Sequence, residues 1–262
     1  MKRLKYFFKT RVSFSSEVSN HSFQLRCMPQ ENDCQTFTFE KCRVRPYCLL
    51  SRSEDCFGNI IHSGIITEPH DLFEYESLGE VILTDRYLLN EPLNRIYFYP
   101  SELTSIDGWL LELLHQTLPS ANKISIEEKV STLSEKVHLS LLYSPSYTNI
   151  NTTAAEALAL GRGVCQDYSH ILIALCRASG IAARYVAGFY EGENYTHAWV
   201  EYYDDNNSKG VWRAIDPTNN RRIESGYIKV SHGRDYNDCS IERGIFTGIV
   251  QQQMTVELEV TG

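Results

Sequence analysis

The chain has 262 residues, 42% of them hydrophobic and 22% charged, an ordinary globular mix with enough apolar material to bury a core without staples. A formal net charge of −8 weighs against the basic face of a nucleic-acid binder. No apolar run approaches membrane-spanning length, so neither nucleic acid nor membrane is expected as a partner.

The start, MKRLKYFFKTRVSFSS, has basic residues but only YFF as an apolar run, too short for the core of a secretory signal. Eight cysteines, at 27, 34, 42, 48, 56, 165, 176 and 239, are therefore expected as reduced thiols in the cytoplasm. The first five are spaced by seven, eight, six and eight positions with no CxxC knuckle, so neither a metal site nor another cofactor is expected.

Residues 1–100 read as β-rich. QTFTFEKCRV alternates apolar and polar side chains, and NRIYFYP does so in part. Short strands without a long helical pattern predict a sandwich-like all-β domain. Past Pro100 the character changes. Ser105 is the expected N-cap of a helix whose stripe is Trp109, Leu110, Leu113, Leu114 and Leu118, with Pro119 beyond its end. A second helix opens on a capping box, Ser125 to Glu128, with Ile126, Val130, Leu133, Val137 and Leu141 on one side. A third opens on Thr153 and Glu156, and Gly161 stands where a C-cap belongs. A fourth is expected from about Cys165 to Ser179, ended by Gly180. Then IAARYVAGFY, THAWVEYY and GVWRAID read as strands, and the tail QQQMTVELEV as another. Residues 101–262 are thus expected as an α+β domain, with strands in 245–262 returning to pack on the N-terminal one.

Cys165 follows GRGV at the start of the fourth helix. There the thiol lies among unpaired backbone N–H groups at the positive end of the helix dipole, a setting that favours thiolate. Taken alone, a helical cysteine is more often core, and Cys176 on the apolar stripe is read as such. The downstream strands change the weighing for Cys165. Between THAWVEYY and VWRAIDP lies the turn YDDNNSKG. Centred between Asn206 and Asn207, that turn sets His197 directly opposite Asp216, both side chains on one face. A histidine faced by a carboxylate is the base half of a Cys–His–Asp triad.

Asp167, in the first turn, is read as a dipole-stabilising residue. His170 is offset by five positions from Cys165, onto another face, and is not read as the base. Trp199 and Trp212 share the hairpin face of His197 and Asp216, either walling the site or filling the core.

These segments, GRGVCQDYSHILIALCRASGIAARYVAGF, HAWVEYY and WRAIDPTNN, resemble the transglutaminase-like superfamily, in particular its bacterial cysteine-protease-like branch with a β-rich N-terminal region. YSPSYTNINTTAAEAL and GRDYNDCSIERGIFTG are similar to the segments flanking that family's site, and FSSEVSNHSFQLRCMPQ to its N-terminal region. The resemblance implies a papain-like α+β core with the cysteine helix packed on an antiparallel sheet. It also implies acyl chemistry on amides through a thioester, with Cys165, His197 and Asp216 on the catalytic motifs. Ser146 departs from the glycine many relatives carry after the proline, and SHG at 231–233 from a more apolar lead. No tryptophan precedes Cys165 after Trp109, so the oxyanion donors are left as the Cys165 N–H with Tyr143 or Tyr147. Hydrolysis of a protein, peptide or small amide is the leading expectation. Transfer of a glutamine acyl group to an amine is the alternative, and a non-catalytic binding module the second.

Overall fold

A computed structural model describes residues 1–118, 124–205 and 210–262. The first strand, β1 (Lys2–Leu25), buries Leu4, Tyr6, Phe8, Thr10, Val12 and Phe14 at alternate positions and turns Arg3, Lys5 and Arg11 outward. It is followed by β2 (Gln35–Arg45), β3 (Ser51–Glu54), β4 (Ile60–Ile66) and β5 (His70–Leu83), all antiparallel in the order β2-β5-β1-β4-β3. The first half of β1 pairs with β5 and the second half with β4. The register breaks between Ser13 and Val18, so the long strand bends and the sheet curls over a shared aromatic core that includes Phe8, Phe14, Phe23 and Phe73.

The short β6 (Leu88–Leu89) leads through two 3-10 turns, at 95–98 and 102–104, into the helical part: α1 (Gly108–Thr117), α2 (Ile126–Ser140), β7 (Leu142–Tyr143), α3 (Ala154–Leu160), β8 (Arg162–Gly163) and α4 (Cys165–Ala178). The expected capping boxes form: Ser125 Oγ accepts from Glu128 N and Thr153 Oγ1 from Glu156 N, each glutamate reaching back to the cap N–H. Gly161 closes α3 in the left-handed region at φ +60°.

Helix α1 departs from expectation. Its N-cap is Asp107, whose Oδ1 accepts from Leu110 N at 2.9 Å, while the Ser105 hydroxyl donates to Ser101 O. Trp109 is 68% exposed. At about 100° per residue it sits at the margin of the arc that buries Leu110, Leu113 and Leu114. Pro119 lies outside the described residues.

Strands β9 (Ala183–Tyr190), β10 (Thr196–Asp204), β11 (Val211–Asp216), β12 (Arg221–Arg222) and β13 (Tyr227–Gly233) form a second antiparallel sheet in the order β12-β11-β10-β9-β13, with β6 on β11. Ala183, Tyr185 and Ala187 on β9 and Ala198, Val200 and Tyr202 on β10 join one cluster with α4 and the helices around it. Every side chain of α4 from Gln166 to Arg177 is buried, Cys176 included, so the helix is a central pillar and not a surface element. On the other face of the sheet, Glu201 is buried between Arg184 and Lys229, and Arg184 continues to Glu91. After α5 (Tyr236–Cys239), the last strands β14 (Glu242–Thr247) and β15 (Gln252–Thr261) pair with β1.

Candidate functional site

The site forms where α4 begins and where β10 and β11 meet. Cys165 is the first residue of α4, half-buried, with Val164 extended before it. The entering backbone is held by Asp167, whose Oδ2 accepts from Val164 N and from Thr148 Oγ1, both at 2.7 Å. Asp167 therefore ties the loop to the helix start, and burial raises its carboxyl above the ordinary range.

His197, the second residue of β10, is 5% exposed. Its Nε2 lies 2.8 Å from Asp216 Oδ2, and the Cys165 thiol is near enough to bear on the ring's proton. A carboxylate can only accept, so Nε2 carries its proton toward Asp216 and leaves Nδ1 for the thiol side. Glu193, on the loop before β10, brings Oε2 within 3.4 Å of that Nδ1. Burial opposes charge on the ring, but the bonds and charges of Asp216 and Cys165 outweigh it and raise His197 to about 10.

Asp216 ends β11 and is fully buried. Burial opposes its ionisation, yet donors surround it. Oδ2 accepts from His197, from Asn219 Nδ2 at 2.8 Å and from the Tyr227 hydroxyl at 2.7 Å, while Oδ1 accepts from Thr218 N and Asn219 N. Together they lower it to about 2.

The three residues singled out in the sequence therefore meet, but not by the register expected. Val200 pairs with Ile215 and Asp204 with Val211, each partner two positions further along than a turn centred between Asn206 and Asn207 would place it. The connection runs over residues 205–210, so its centre lies one residue later; the turn itself, 206–209, is outside the described residues. Asp216 is consequently a diagonal neighbour of His197. A shift of two keeps both side chains on one face, and so the contact survives.

Trp199 is buried with its ring 6.4 Å from that of His197, near-parallel, and backs the site. Trp212 is core: it lies under Arg184 at 4.1 Å and edge-on to Tyr97. His170 is fully buried inside α4, where its Nε2 accepts from Tyr236 N and burial lowers it to about 3. Tyr143 sits on β7, paired in parallel with Gly163 two residues before Cys165, and the charges of Cys165 and Glu193 add to the burial that raises its phenol to about 12. Tyr147 instead lies under the Arg162 guanidinium, at 4.5 Å. Asn219, Tyr227 and Glu193 were not anticipated from sequence. Asn219 carries a signal, three residues after the acid in DPTNN, whereas Tyr227 has no local one.

Comparison with known proteins finds two family matches. A model described as the transglutaminase-like superfamily matches residues 115–217, which contain Cys165, His197 and Asp216, and a model of the bacterial transglutaminase-like N-terminal region matches residues 4–82. The chain belongs to the transglutaminase-like superfamily. An uncharacterized protein of Mycobacterium leprae is 25% identical to this transglutaminase-like chain over 288 aligned positions, covering 100% of the chain and 99% of the relative. A protein-glutamine gamma-glutamyltransferase of Pseudomonas aeruginosa is 38% identical over 79 residues, 24% of this chain and 11% of that protein. The crystal structure of a "putative cysteine protease" from Cytophaga hutchinsonii shares the fold, with a TM-score of 0.78 at 22% identity, covering 100% of this chain and 92% of that one. Within the transglutaminase-like fold, Ser146 occupies a left-handed backbone position at φ +71°. Glycine adopts that conformation most readily, and Ser146 holds it at some conformational cost.

Proposed function

We propose that this protein is a cysteine-dependent acyl-transfer enzyme acting on amide or peptide bonds, with Cys165 as nucleophile, His197 as acid and base, and Asp216 as the orienting carboxylate. The observation that carries the reading is the His197 ring held between the Cys165 thiol and a carboxylate saturated with donors. The ring already holds the thiol's proton in the neutral range, and the sulfur attacks the carbonyl carbon. The tetrahedral intermediate collapses when that proton goes to the leaving amine, which departs as the C–N bond breaks, and a thioester remains on Cys165. Water, giving a proton to His197, attacks the thioester; the acid is released as the C–S bond breaks, and the freed sulfur is left beside the protonated ring. The Cys165 N–H at the helix start is the oxyanion donor we assign, with the Tyr143 hydroxyl as the second.

Hydrolysis is the reading we place first. Transfer to an amine is the second, favoured by the similarity of part of the chain to a protein-glutamine gamma-glutamyltransferase. Both share the first half-reaction, so one experiment addresses them together. A chloroacetamide probe should label wild type at Cys165, with labelling at least tenfold slower in His197→Ala. Equal labelling of the two removes His197 from the reaction and favours a binding module. A glutamine-containing peptide with a labelled amine then separates the outcomes: incorporated amine means transfer, free acid alone means hydrolysis.

A further inference from the structure

Five hydrogen bonds converge on the Asp216 carboxylate, and four of them come from the neighbouring strand His197 belongs to or from the turn directly after Asp216. The fifth is different. Tyr227 opens β13, at the far edge of a sheet in which β10 and β9 lie between it and β11. Its ring crosses edge-on to Trp199, at 5.4 Å, so that the hydroxyl reaches Oδ2 of Asp216 at 2.7 Å, the same oxygen that faces His197. Behind the phenol stands Arg221. It is paired in register with Asp216 across β11 and β12, yet its guanidinium does not go to the acid. Nε donates to the Tyr227 oxygen at 2.9 Å, and the cation lies over the rings of Tyr190 and Tyr227, at 4.6 and 5.4 Å.

We propose that Tyr227, oriented by Arg221, is a positioning residue that aims Asp216 Oδ2 at His197 and moderates the pull of that carboxylate on the imidazole proton. A phenol has one hydrogen. With its oxygen accepting from Arg221, the hydrogen is directed to Asp216, and the cation polarises the O–H into a stronger donor. An arginine in direct contact with Asp216 would compete with the imidazolium for the same charge; a neutral phenol between them passes on orientation and only part of the field. Burial and the Asp216 charge raise the Tyr227 phenol above its ordinary value, so its proton stays in place through the neutral range. The inference rests on reading Cys165, His197 and Asp216 as the reacting groups.

The groups facing His197 are Cys165 from α4, Glu193 from the loop before β10, Asp216 from β11, Tyr190 from β9 and Tyr227 from β13. Losing the Tyr227 hydroxyl leaves more charge on Oδ2 for the imidazolium, so the ring should hold its proton to higher pH. The test is an NMR titration of isotope-labelled histidine in the full chain, with the His197 signal assigned by its loss in His197→Gln. In Tyr227→Phe the His197 midpoint should rise by about half a pH unit or more, and in Arg221→Gln it should rise by less. Midpoints in both variants within about 0.1 of wild type, or lower, overturn the proposal. Should Tyr227→Phe fail to fold, Arg221→Gln decides alone, because its guanidinium lies at the exposed edge strand. The titration reads the ring whether or not any amide is turned over. Failure here is therefore distinct from failure of the Cys165 labelling test.

Discussion

His197 is drawn in opposite directions by its surroundings. Burial lowers its affinity for a proton, Asp216 and Cys165 raise it, and the second effect prevails, to about 10. Asp216, with donors from His197, Asn219 and Tyr227 offsetting burial, is lowered to about 2. Both shifts are linked to stability. The imidazolium contributes fully below the ordinary histidine value of 6.5, and its contribution is lost as pH rises toward about 10. The Asp216 contribution is present above 3.8 and lost as pH falls toward about 2. We expect His197→Gln to melt below wild type by an amount on the order of a few kcal/mol at pH 6. Calorimetry should show that gap shrinking steadily as pH rises toward 10; a gap constant over the range contradicts the assigned shift. The candidate site residues were legible because each sits in a local pattern: a cysteine at a helix start, a histidine and an acid flanking one turn. Tyr227 and Glu193 were not, since they reach the site from another strand and a loop, and no local spacing connects them to it.

At the scale of elements, the entry to α4 decides where the thiol stands. Gly163 lies against Asp167 so closely that a Cβ there would come within 2.6 Å of Oδ2 and 2.7 Å of the Asp167 Cβ. Neither can give way without releasing Val164 N and Thr148. Gly163→Ala should therefore cost about 1–3 kcal/mol in a denaturant melt, and it should slow alkylation of Cys165 in the folded protein. Retention of both stability and alkylation rate would show that the first turn is less constrained than this geometry implies. The helix ends at Ser125, Thr153 and Gly161 were readable because a cap is a contact within four residues. Ser105 misled because Asp107, two residues on, is an equally good cap, and only packing of Leu110 and Leu113 selects between them. The hairpin register was displaced for a related reason. Turn residues mark where a connection lies, while its length is settled by how the flanking strands pair.

Across the whole molecule, the N-terminal sheet and the sheet bearing His197 share apolar contacts. Phe189 of β9 stacks on Phe8 of β1 at 5.3 Å, and Ile228 and Val230 of β13 enter the same cluster. Gln35 adds a buried pair of hydrogen bonds to the Lys229 backbone, at 2.7 and 2.9 Å. We expect Phe8→Ala to cost about 3–5 kcal/mol. We also expect calorimetry to show one transition shifted downward, because the lost contacts belong to both halves. Two separated transitions would mean that the halves unfold independently. The full extent of β1 is not legible locally: Leu4, Tyr6, Phe8, Val12 and Phe14 alternate, but positions 15–17 are all exposed and interrupt the period.

What the sequence alone determined was local: the four helices of the core and most of their caps, the strands β2, β9, β10, β11 and β15, and the residue types able to carry acyl chemistry; NRIYFYP, expected as a strand, is instead the 3-10 turn at 95–98. Only the tertiary structure decided the register that makes Asp216 a diagonal partner of His197, the residue-by-residue pairing of β14 and β15 with β1, and the reach of Tyr227 and Arg221 to the acid. Those depend on contacts between residues far apart in the chain, whose pairing is set by the packing of all the elements together and by no pattern that any one of them displays.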